Sequence, residues 1–286
     1  IILAAGKGTR MNTNLPKVMQ PLGGQTLISH VIQTAKENSE NITVVVGYKK
    51  SVLKTHIKNI DPNIKTADQD DQLGTAHAVK MASYLIKDEE KVLILYGDVP
   101  LISSKTIEGL INSGHECTLL TMQLNDPTGY GRVITNGQNL ALKIVEQIDA
   151  SEDELKIEEV FTGILLIDGN LLRTALEEIK NQNSANEYYL TDLVEILSGK
   201  GVKIKCTQAN PEEVLGANNK HELHELELIL RKMSAEKLLE QGVTLIDKTR
   251  VDVRGKVVAG KDCSIDVNVI LEGDVTFGNN VTIKSN

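Results

Sequence analysis

Apolar positions along the chain follow two alternating rhythms. Ile1–Ala4, Ile42–Val46, Val92–Leu95 and Thr118–Met122 are short, mostly apolar runs, as expected of strands buried on both faces. Between them, apolar residues recur at helical spacing: Leu27, Ile28, Val31, Ile32 and Ala35; Leu53, Ile57 and Ile60; Ala78, Val79, Ala82, Leu85 and Ile86; Ile107, Leu110 and Ile111. Strands alternating with amphipathic helices predict an α/β domain with a mostly parallel sheet wound on both faces. Ligands of such sheets sit beyond the carboxyl ends of the strands. The turn after Ala4 and the segment Tyr96-Gly97-Asp98 both fall at such ends, so they are expected to face one crevice.

The rhythm changes between Asn125 and Leu166. Arg132–Thr135, Ala141–Glu146 and Glu159–Leu166 read as strands with hairpin-like links, predicting an antiparallel insertion lying over the site. Leu171, Leu172, Ala175, Leu176 and Ile179 restore a helix, Leu190–Leu197 gives another and Val202–Cys206 a strand. Leu223, Leu226, Leu230, Met233 and Leu238 then mark one face of a long charged helix. His221 and His224 lie one turn apart on it, either as a metal pair or as solvated side chains.

From Val251 the period is six. Val251, Val257, Cys263, Val269, Val275 and Val281 form one register, and Val253, Ala259, Ile265, Leu271, Phe277 and Ile283 a second, with Gly260, Gly273, Gly278, Asn268 and Asn280 between. This is the pattern of a hexapeptide β-helix; antiparallel strands, the other source of even spacing, do not hold two registers over six repeats. The first residue falls inside an expected strand and the last inside a repeat, so further coils are expected beyond Asn286.

Composition narrows the function classes. The chain has 286 residues, 41% of them hydrophobic, enough for a large domain and a smaller unit. A net charge of −8 and 3% aromatic residues, with no Trp, argue against a general nucleic-acid or membrane surface and against an aromatic stacking platform. Cys117, Cys206 and Cys263 are scattered and odd in number, which suits a reducing compartment without a disulfide framework. No signal peptide and no apolar run of membrane-spanning length is present.

The opening stretch carries the first chemistry. Ile1–Ala4 ends abruptly in Gly6-Lys7-Gly8, with Arg10 and Lys17 just beyond. Glycines at that spacing bring bare N–H groups close to a ligand, and two cations beside them suit phosphates. The stretch is neither a P-loop nor the G-x-G-x-x-G dinucleotide fingerprint. Asp98, delivered by an apolar strand beside Gly97, is either a carboxylate ligand for Mg²⁺ or a loop cap. Gln69–Thr75 either reads a base through glutamine, which offers a donor and an acceptor, or is a polar loop with Thr75 as N-cap.

The complete string Leu3-Ala-Ala-Gly-Lys-Gly-Thr-Arg-Met with Pro16-Lys17 resembles the signature of sugar-1-phosphate nucleotidylyltransferases. Leu15-Pro-Lys-Val, Gln72-Leu-Gly-Thr-Ala-His-Ala, Tyr96-Gly-Asp-Val-Pro-Leu, Asp126-Pro-Thr-Gly-Tyr-Gly-Arg, Glu187-Tyr-Tyr-Leu-Thr-Asp and Gly216-Ala-Asn-Asn follow in order. With the helix and the hexapeptide run, the whole chain resembles the bacterial bifunctional N-acetylglucosamine-1-phosphate uridylyltransferase/glucosamine-1-phosphate acetyltransferase family. The resemblance implies a Rossmann-like nucleotidyltransferase domain over 1–218, a linker helix over 219–242 and the start of a left-handed parallel β-helix over 243–286. It implies Mg²⁺-dependent conversion of UTP and N-acetylglucosamine 1-phosphate to UDP-N-acetylglucosamine and pyrophosphate, for peptidoglycan and lipopolysaccharide synthesis in the bacterial cytoplasm, without nucleic-acid partners or membrane insertion. The acetyltransferase half and the homotrimer of intact members depend on coils beyond Asn286, so no acetyl transfer is expected of these residues.

Carried over by motif, Leu3, Ala4, Ala5, Gly6, Gln69, Gly74 and Thr75 would hold the uridine, and Tyr96, Gly97, Gly131 and Glu146 the sugar side. Asp98 and Asn218 would ligate Mg²⁺, and Arg10 and Lys17 would contact phosphates. Three positions depart from the family pattern. Ile148 stands where Lys is usual, Phe161 where Asn often contacts the sugar, and Asn186 where Gly is usual. Two other readings fit the opening motif: a related pyrophosphorylase using dTTP or ATP with glucose 1-phosphate, and a non-catalytic regulatory subunit of the same fold. The full set Arg10, Lys17, Asp98 and Asn218 speaks against the latter.

Overall fold

The computed structural model describes residues 1–285; Asn286, the end of the third expected segment, lies outside the described residues. The chain enters through β1 (Ile2–Ala4), makes a small hairpin of β2 (Pro21–Leu22) and β3 (Gln25–Thr26), then alternates α1 (Leu27–Asn38), β4 (Thr43–Val46), α2 (Lys50–Ile60), β5 (Lys65–Asp68), α3 (Thr75–Ala82), β6 (Lys91–Tyr96), α4 (Ser104–Ile111) and β7 (Cys117–Gln123). Next come β8 (Arg132–Thr135), β9 (Leu140–Val145), β10 (Glu159–Asp168), α5 (Gly169–Glu178), α6 (Asp192–Gly199), β11 (Ile204–Gln208), the short α7 (Pro211–Val214) and the 21-residue α8 (Lys220–Glu240).

Nine of these strands form one sheet in the order β5-β4-β1-β6-β10-β7-β11-β9-β8. Only β9 and β10 run against the rest, so the sheet is mostly parallel, as the strand–helix alternation implies. Side chains alternate across it. Leu3, Val45, Ile94 and Leu119 join the core on one face, and Ile2, Val44, Val46, Leu95 and Leu120 the core on the other. The helices close both faces with the predicted stripes: Leu27, Ile28, Val31, Ile32 and Ala35 of α1 are all buried, and Thr26 caps that helix by accepting from the Ser29 N–H.

The expected separate antiparallel layer is corrected. β10 is not laid over the site; it is inserted between β6 and β7, antiparallel to both, and β8 and β9 extend the same sheet at its edge. A strand buried on both sides finds partners for its N–H and C=O groups only within a sheet. Smaller differences follow local chemistry. β5 escaped the apolar-run criterion because Lys65-Thr-Ala-Asp buries only Ala67. α3 stops at Ala82 and tightens into a 3₁₀ turn over Ser83–Leu85.

The N-terminal half of α8 packs Leu223, Leu226, Leu230 and Met233 with Met11, Leu22, Leu27, Leu101 and Ala217. His221 and His224 are exposed. Leu238 turns to a different core, built with the strands that follow: β12 (Thr244–Leu245), β13 (Val251–Val258), β14 (Ser264–Ile265), β15 (Val269–Thr276) and β16 (Thr282–Ile283). β13 pairs with β15 in parallel from Val251↔Val269 to Val258↔Thr276, and β14 with β16 through Ser264↔Thr282. That offset is 18 residues, three six-residue repeats, and all twelve residues of the two sequence registers share this core.

Candidate functional site

β1 and β6 are parallel neighbours, with Leu3 opposite Tyr96, so their carboxyl ends open side by side. The Gly97 N–H donates to the Leu3 carbonyl at 2.9 Å. A Cβ on Gly97 would lie 2.9 Å from Ile28 Cδ1 and 3.2 Å from the Leu3 oxygen, so only glycine lets the two strand ends close up. After Ala5 the loop turns at Gly8, at a φ of +61°, into a 3₁₀ turn over Thr9–Met11 anchored by buried Met11. A Cβ on Gly8 would meet Lys17 Cβ at 2.5 Å; Gly8 therefore sets how Lys17 crosses the loop. The phosphate-loop reading relied on Gly6 and Gly8 alike, but Gly6 has open space around it and no positive φ.

Lys17, Asp98 and Asn218 come together from three distant parts of the chain. The Lys17 ammonium donates to the Asp98 carboxylate and, at 3.0 Å, to Asn218 Oδ1. Both charged side chains are largely buried, with 16% and 13% of their surface exposed. Asn218 is oriented in turn by Glu222, whose Oε2 accepts from the Asn218 backbone N–H at 2.7 Å and its Nδ2 at 3.0 Å. Asn219, the N-cap of α8, accepts from the Glu222 N–H at 2.9 Å, so the start of the helix holds this corner.

Two cavities adjoin here. The first, of about 290 Å³, is lined by Leu3, Ala4, Ala5, Gly6, Lys17, Gln69, Gly74, Thr75, Tyr96 and Asp98, together with Gln72 and Glu187. The second, of about 430 Å³, is lined by Gly131, Glu146 and Ile148 beside the edge strands β8 and β9, by Phe161 of β10, and by Tyr130, Gln147, Gly163, Tyr189 and Thr191. They share Thr75, Tyr96 and Glu187. The wall between them is a backbone match: the Tyr188 N–H donates to the Leu73 carbonyl at 2.8 Å and the Ala76 N–H to the Tyr188 carbonyl at 2.9 Å. Gly74, at φ +114°, sits where a Cβ would fall 2.5 Å from the Tyr188 oxygen. Gly74 is itself the N-cap of α3; Thr75, an alternative cap from sequence, instead accepts the Leu190 N–H on Oγ1 at 2.9 Å.

Burial dominates the electrostatics of the second cavity. It raises the Glu146 carboxyl, with Thr191 Oγ1 donating to it at 3.0 Å in opposition. Asp192 is pushed up to about 6 by burial and then by Glu146, Glu195 and Asp149. The Tyr96 phenol is raised by burial, then by Glu146 and Asp98. A carboxylate beside buried aromatic rings and threonine hydroxyls can accept hydroxyl hydrogens while the rings cover apolar faces.

Most candidate residues thus meet in one region. Arg10 does not: it is exposed on the 3₁₀ turn and lines neither cavity, because Met11 takes the inward position. Asn218 joins through Lys17 and Gly97 through the strand ends. Phe161 is buried within the second cavity's wall, whereas Ile148 is 67% exposed at its rim. Asn186 takes the left-handed conformation, φ 56°, which asparagine tolerates best after glycine. The site also uses residues that sequence reasoning passed over. Gln72 ties the two loops together by donating to the Ala5 carbonyl at 2.9 Å; Glu187, Tyr189 and Thr191 line walls; Glu222 orients Asn218. All lie in or beside the ordered motifs, the one signal that pointed to them. Among the described residues no group of three His, Cys, Asp or Glu side chains converges as a metal site, and no helix is long and apolar enough to cross a membrane.

Residues 1–157 match the family model described as MobA-like NTP transferase domain. Over its whole length the chain is 44% identical to the bifunctional protein GlmU of Idiomarina loihiensis and 45% identical to that of Burkholderia multivorans, spanning 63% and 64% of their lengths. Among solved structures it resembles a UDP-glucose pyrophosphorylase complexed with UDP-glucose, with a TM-score of 0.64 at 19% identity, covering 81% of this chain and 97% of that one. A putative glucose-1-phosphate thymidylyltransferase from Bacillus anthracis gives a TM-score of 0.61 at 19% identity, over 79% and 92% of the two chains. These two are likenesses of fold.

Proposed function

The chain belongs to the MobA-like NTP transferase family, and from that premise we propose that it transfers the uridylyl group of UTP to N-acetylglucosamine 1-phosphate, giving UDP-N-acetylglucosamine and pyrophosphate. The observation that carries the reading is the pair of cavities sharing Thr75, Tyr96 and Glu187, with Lys17 and Asp98 in the wall of the first. The nucleotide takes the first cavity and the sugar phosphate the second.

The reaction asks little covalent chemistry of the protein. A sugar phosphate oxygen is already a nucleophile, so no general base is needed. It must be held in line with the α-phosphorus and the leaving pyrophosphate, and the charge on all three must be balanced. Lys17 supplies a largely buried ammonium for that purpose. Arg10, exposed on the neighbouring 3₁₀ turn, is assigned to phosphate contact in this reading. Gly6, open on the cavity side, lets phosphate approach the backbone closely. Glu146 and the Gly131 backbone orient the sugar. Phe161 covers an apolar face of it in place of a hydrogen bond.

The donor set at Lys17 fits a magnesium ion. Asp98 and Asn218 present two oxygen donors that converge on the one Lys17 ammonium, and Mg²⁺ typically takes one or two such ligands and completes its shell with phosphate and water oxygens. When bound, the ion supplies charge neutralisation on the triphosphate.

For the C-terminal segment, the 18-residue register supports reading residues 243–286 as opening coils of a left-handed parallel β-helix, after a linker helix over 219–242 and a transferase domain over 1–218. The acetyltransferase activity and the trimer belong, in this reading, to the longer protein, a bacterial cytoplasmic enzyme. The test is pyrophosphate release with Mg²⁺ and UTP, comparing N-acetylglucosamine 1-phosphate, glucose 1-phosphate and glucosamine 1-phosphate. Strong preference for the acetylated sugar is expected. Preference for another sugar would move the substrate, and release with none would refute the reading.

A further inference from the structure

The side-chain amide of Gln69 is held between two acceptors. Its Nε2 lies 3.0 Å from the Gly74 carbonyl oxygen and 3.1 Å from His77 Nδ1. A backbone carbonyl only accepts, so the group facing it is the amino group. Its second hydrogen has a partner only when His77 Nδ1 carries a lone pair, so Nδ1 is the acceptor in this contact. Gln69 is 4% exposed and lines the first cavity. Its Oε1 has no hydrogen-bond partner among the described residues and is not sealed from solvent, which leaves that oxygen for a ligand. Turning the amide over would set Oε1 against both the Gly74 oxygen and the Nδ1 lone pair, two contacts between acceptors.

We propose that His77 is a positioning residue that sets the base preference of the nucleotide cavity. By holding Gln69 with its oxygen outward, it makes the cavity an acceptor for a ring N–H. Uracil and thymine carry such a donor at N3, whereas cytosine presents a lone pair there and is repelled. The residue is placed for this by α3: Gly74 caps the helix and His77 follows within its first turn, so the two acceptors that clamp Gln69 come from one rigid corner. The proposal rests on Gln69 facing the base, as in the function proposed above. It adds that a side chain which does not itself contact the nucleotide decides which face of Gln69 the base meets.

The test compares UTP with CTP in the full chain, by pyrophosphate release with N-acetylglucosamine 1-phosphate and by the equilibrium dissociation constants of the two nucleotides. In His77→Leu one of the two acceptors is gone and the flipped amide becomes accessible. The preference for UTP over CTP should fall about 3- to 10-fold, the worth of one hydrogen bond, through KM and Kd with kcat for UTP little changed. His77→Asn, whose Oδ1 can take the place of Nδ1, should return the preference to within about 2-fold of wild type. A lowered melting temperature with an unchanged UTP/CTP ratio in His77→Leu would assign His77 a packing role and overturn the proposal. Because the ratio is also read from binding, it is tested even if no sugar phosphate is turned over. Wild-type protein that binds neither nucleotide overturns this proposal together with the base-site reading, whereas wild type with UTP turnover and an indifferent His77→Leu overturns this one alone.

Discussion

Gly74→Ala and Gly6→Ala, two changes of the same chemistry in one cavity wall, should have opposite consequences. At Gly74 the backbone is at φ +114° and ψ 176°, a region essentially reserved for glycine, where another residue costs about 1–3 kcal/mol. The new methyl would also lie 2.5 Å from the oxygen and 2.7 Å from the nitrogen of Tyr188. Both are backbone atoms, so the Glu187–Tyr189 segment must move. The two hydrogen bonds joining Tyr188 to Leu73 and Ala76 would then stretch, at about 0.5–1.5 kcal/mol each. The sum is about 2–6 kcal/mol, which for a domain of this size lowers the melting temperature by at least roughly 4 °C, and by roughly 8–16 °C at the middle of that range. Gly6 has neither constraint, since nothing lies within 4 Å of its would-be Cβ. There alanine should leave the melting temperature unchanged or slightly raised, while raising KM for UTP by roughly 10-fold or more, the scale of one misplaced carbon in a fitted pocket. Thermal unfolding followed by circular dichroism, with initial-rate kinetics on both variants, reads the contrast. Gly74→Ala melting within about 2 °C of wild type, or Gly6→Ala destabilised as much as Gly74→Ala, would refute this account of the wall.

Lys17→Ala should lower turnover by roughly 10²–10³, the usual worth of one electrostatic contact to a developing charge; turnover within a few-fold of wild type would remove Lys17 from the chemistry. Chelating divalent ions should abolish pyrophosphate release while leaving the melting temperature in place, because Lys17 already bridges Asp98 and Asn218; metal-independent turnover would exclude these two as metal ligands. Asp192 provides a pH test of stability. Its carboxyl, held at about 6 against an ordinary 3.8, binds its proton more tightly in the folded protein. The stability so gained is full below the unfolded value and is lost as pH rises through about 6. Melting curves should therefore show Asp192→Asn gaining on wild type between pH 4 and 7.5. The side chain is half-buried, so the gain is about 1 kcal/mol at most, or roughly 2–4 °C. A difference that stays flat or falls with pH would contradict the burial argument.

What could be read before any fold was known depended on whether a residue's environment is local. The stripes of α1, α2, α4 and α5 and the apolar cores of β1, β4, β6 and β7 were legible because each is a one-dimensional record of a buried face. The hexapeptide registers were legible for the same reason: every sixth residue meets the same interior, and the structure gathers all twelve positions into one core. The strand ends carrying Ala5 and Asp98 were predicted to share a crevice, and their hydrogen-bonded pairing makes them neighbours. β5 was not legible, because Lys65-Thr-Ala-Asp buries a single apolar residue and is a strand only through its pairing with β4.

Partnerships between distant segments were left to the tertiary structure. The near-continuous burial of Glu159–Asp168 marks a strand covered on both faces, but nothing in it names β6 and β7 as its two neighbours. Likewise the chain alone names Lys17, Asp98 and Asn218 as candidates but not that one ammonium joins the two oxygens, or that Glu222, the third residue of the next helix, turns the Asn218 amide the right way round. By itself, then, the sequence determined the periods, the turns that need glycine or asparagine, and the chemical inventory, because these are properties of neighbouring residues. Only the tertiary structure decided strand order, the shared wall of the two cavities and the joining of Lys17 to Asp98 and Asn218, because those depend on groups that contact one another across tens to hundreds of residues of chain.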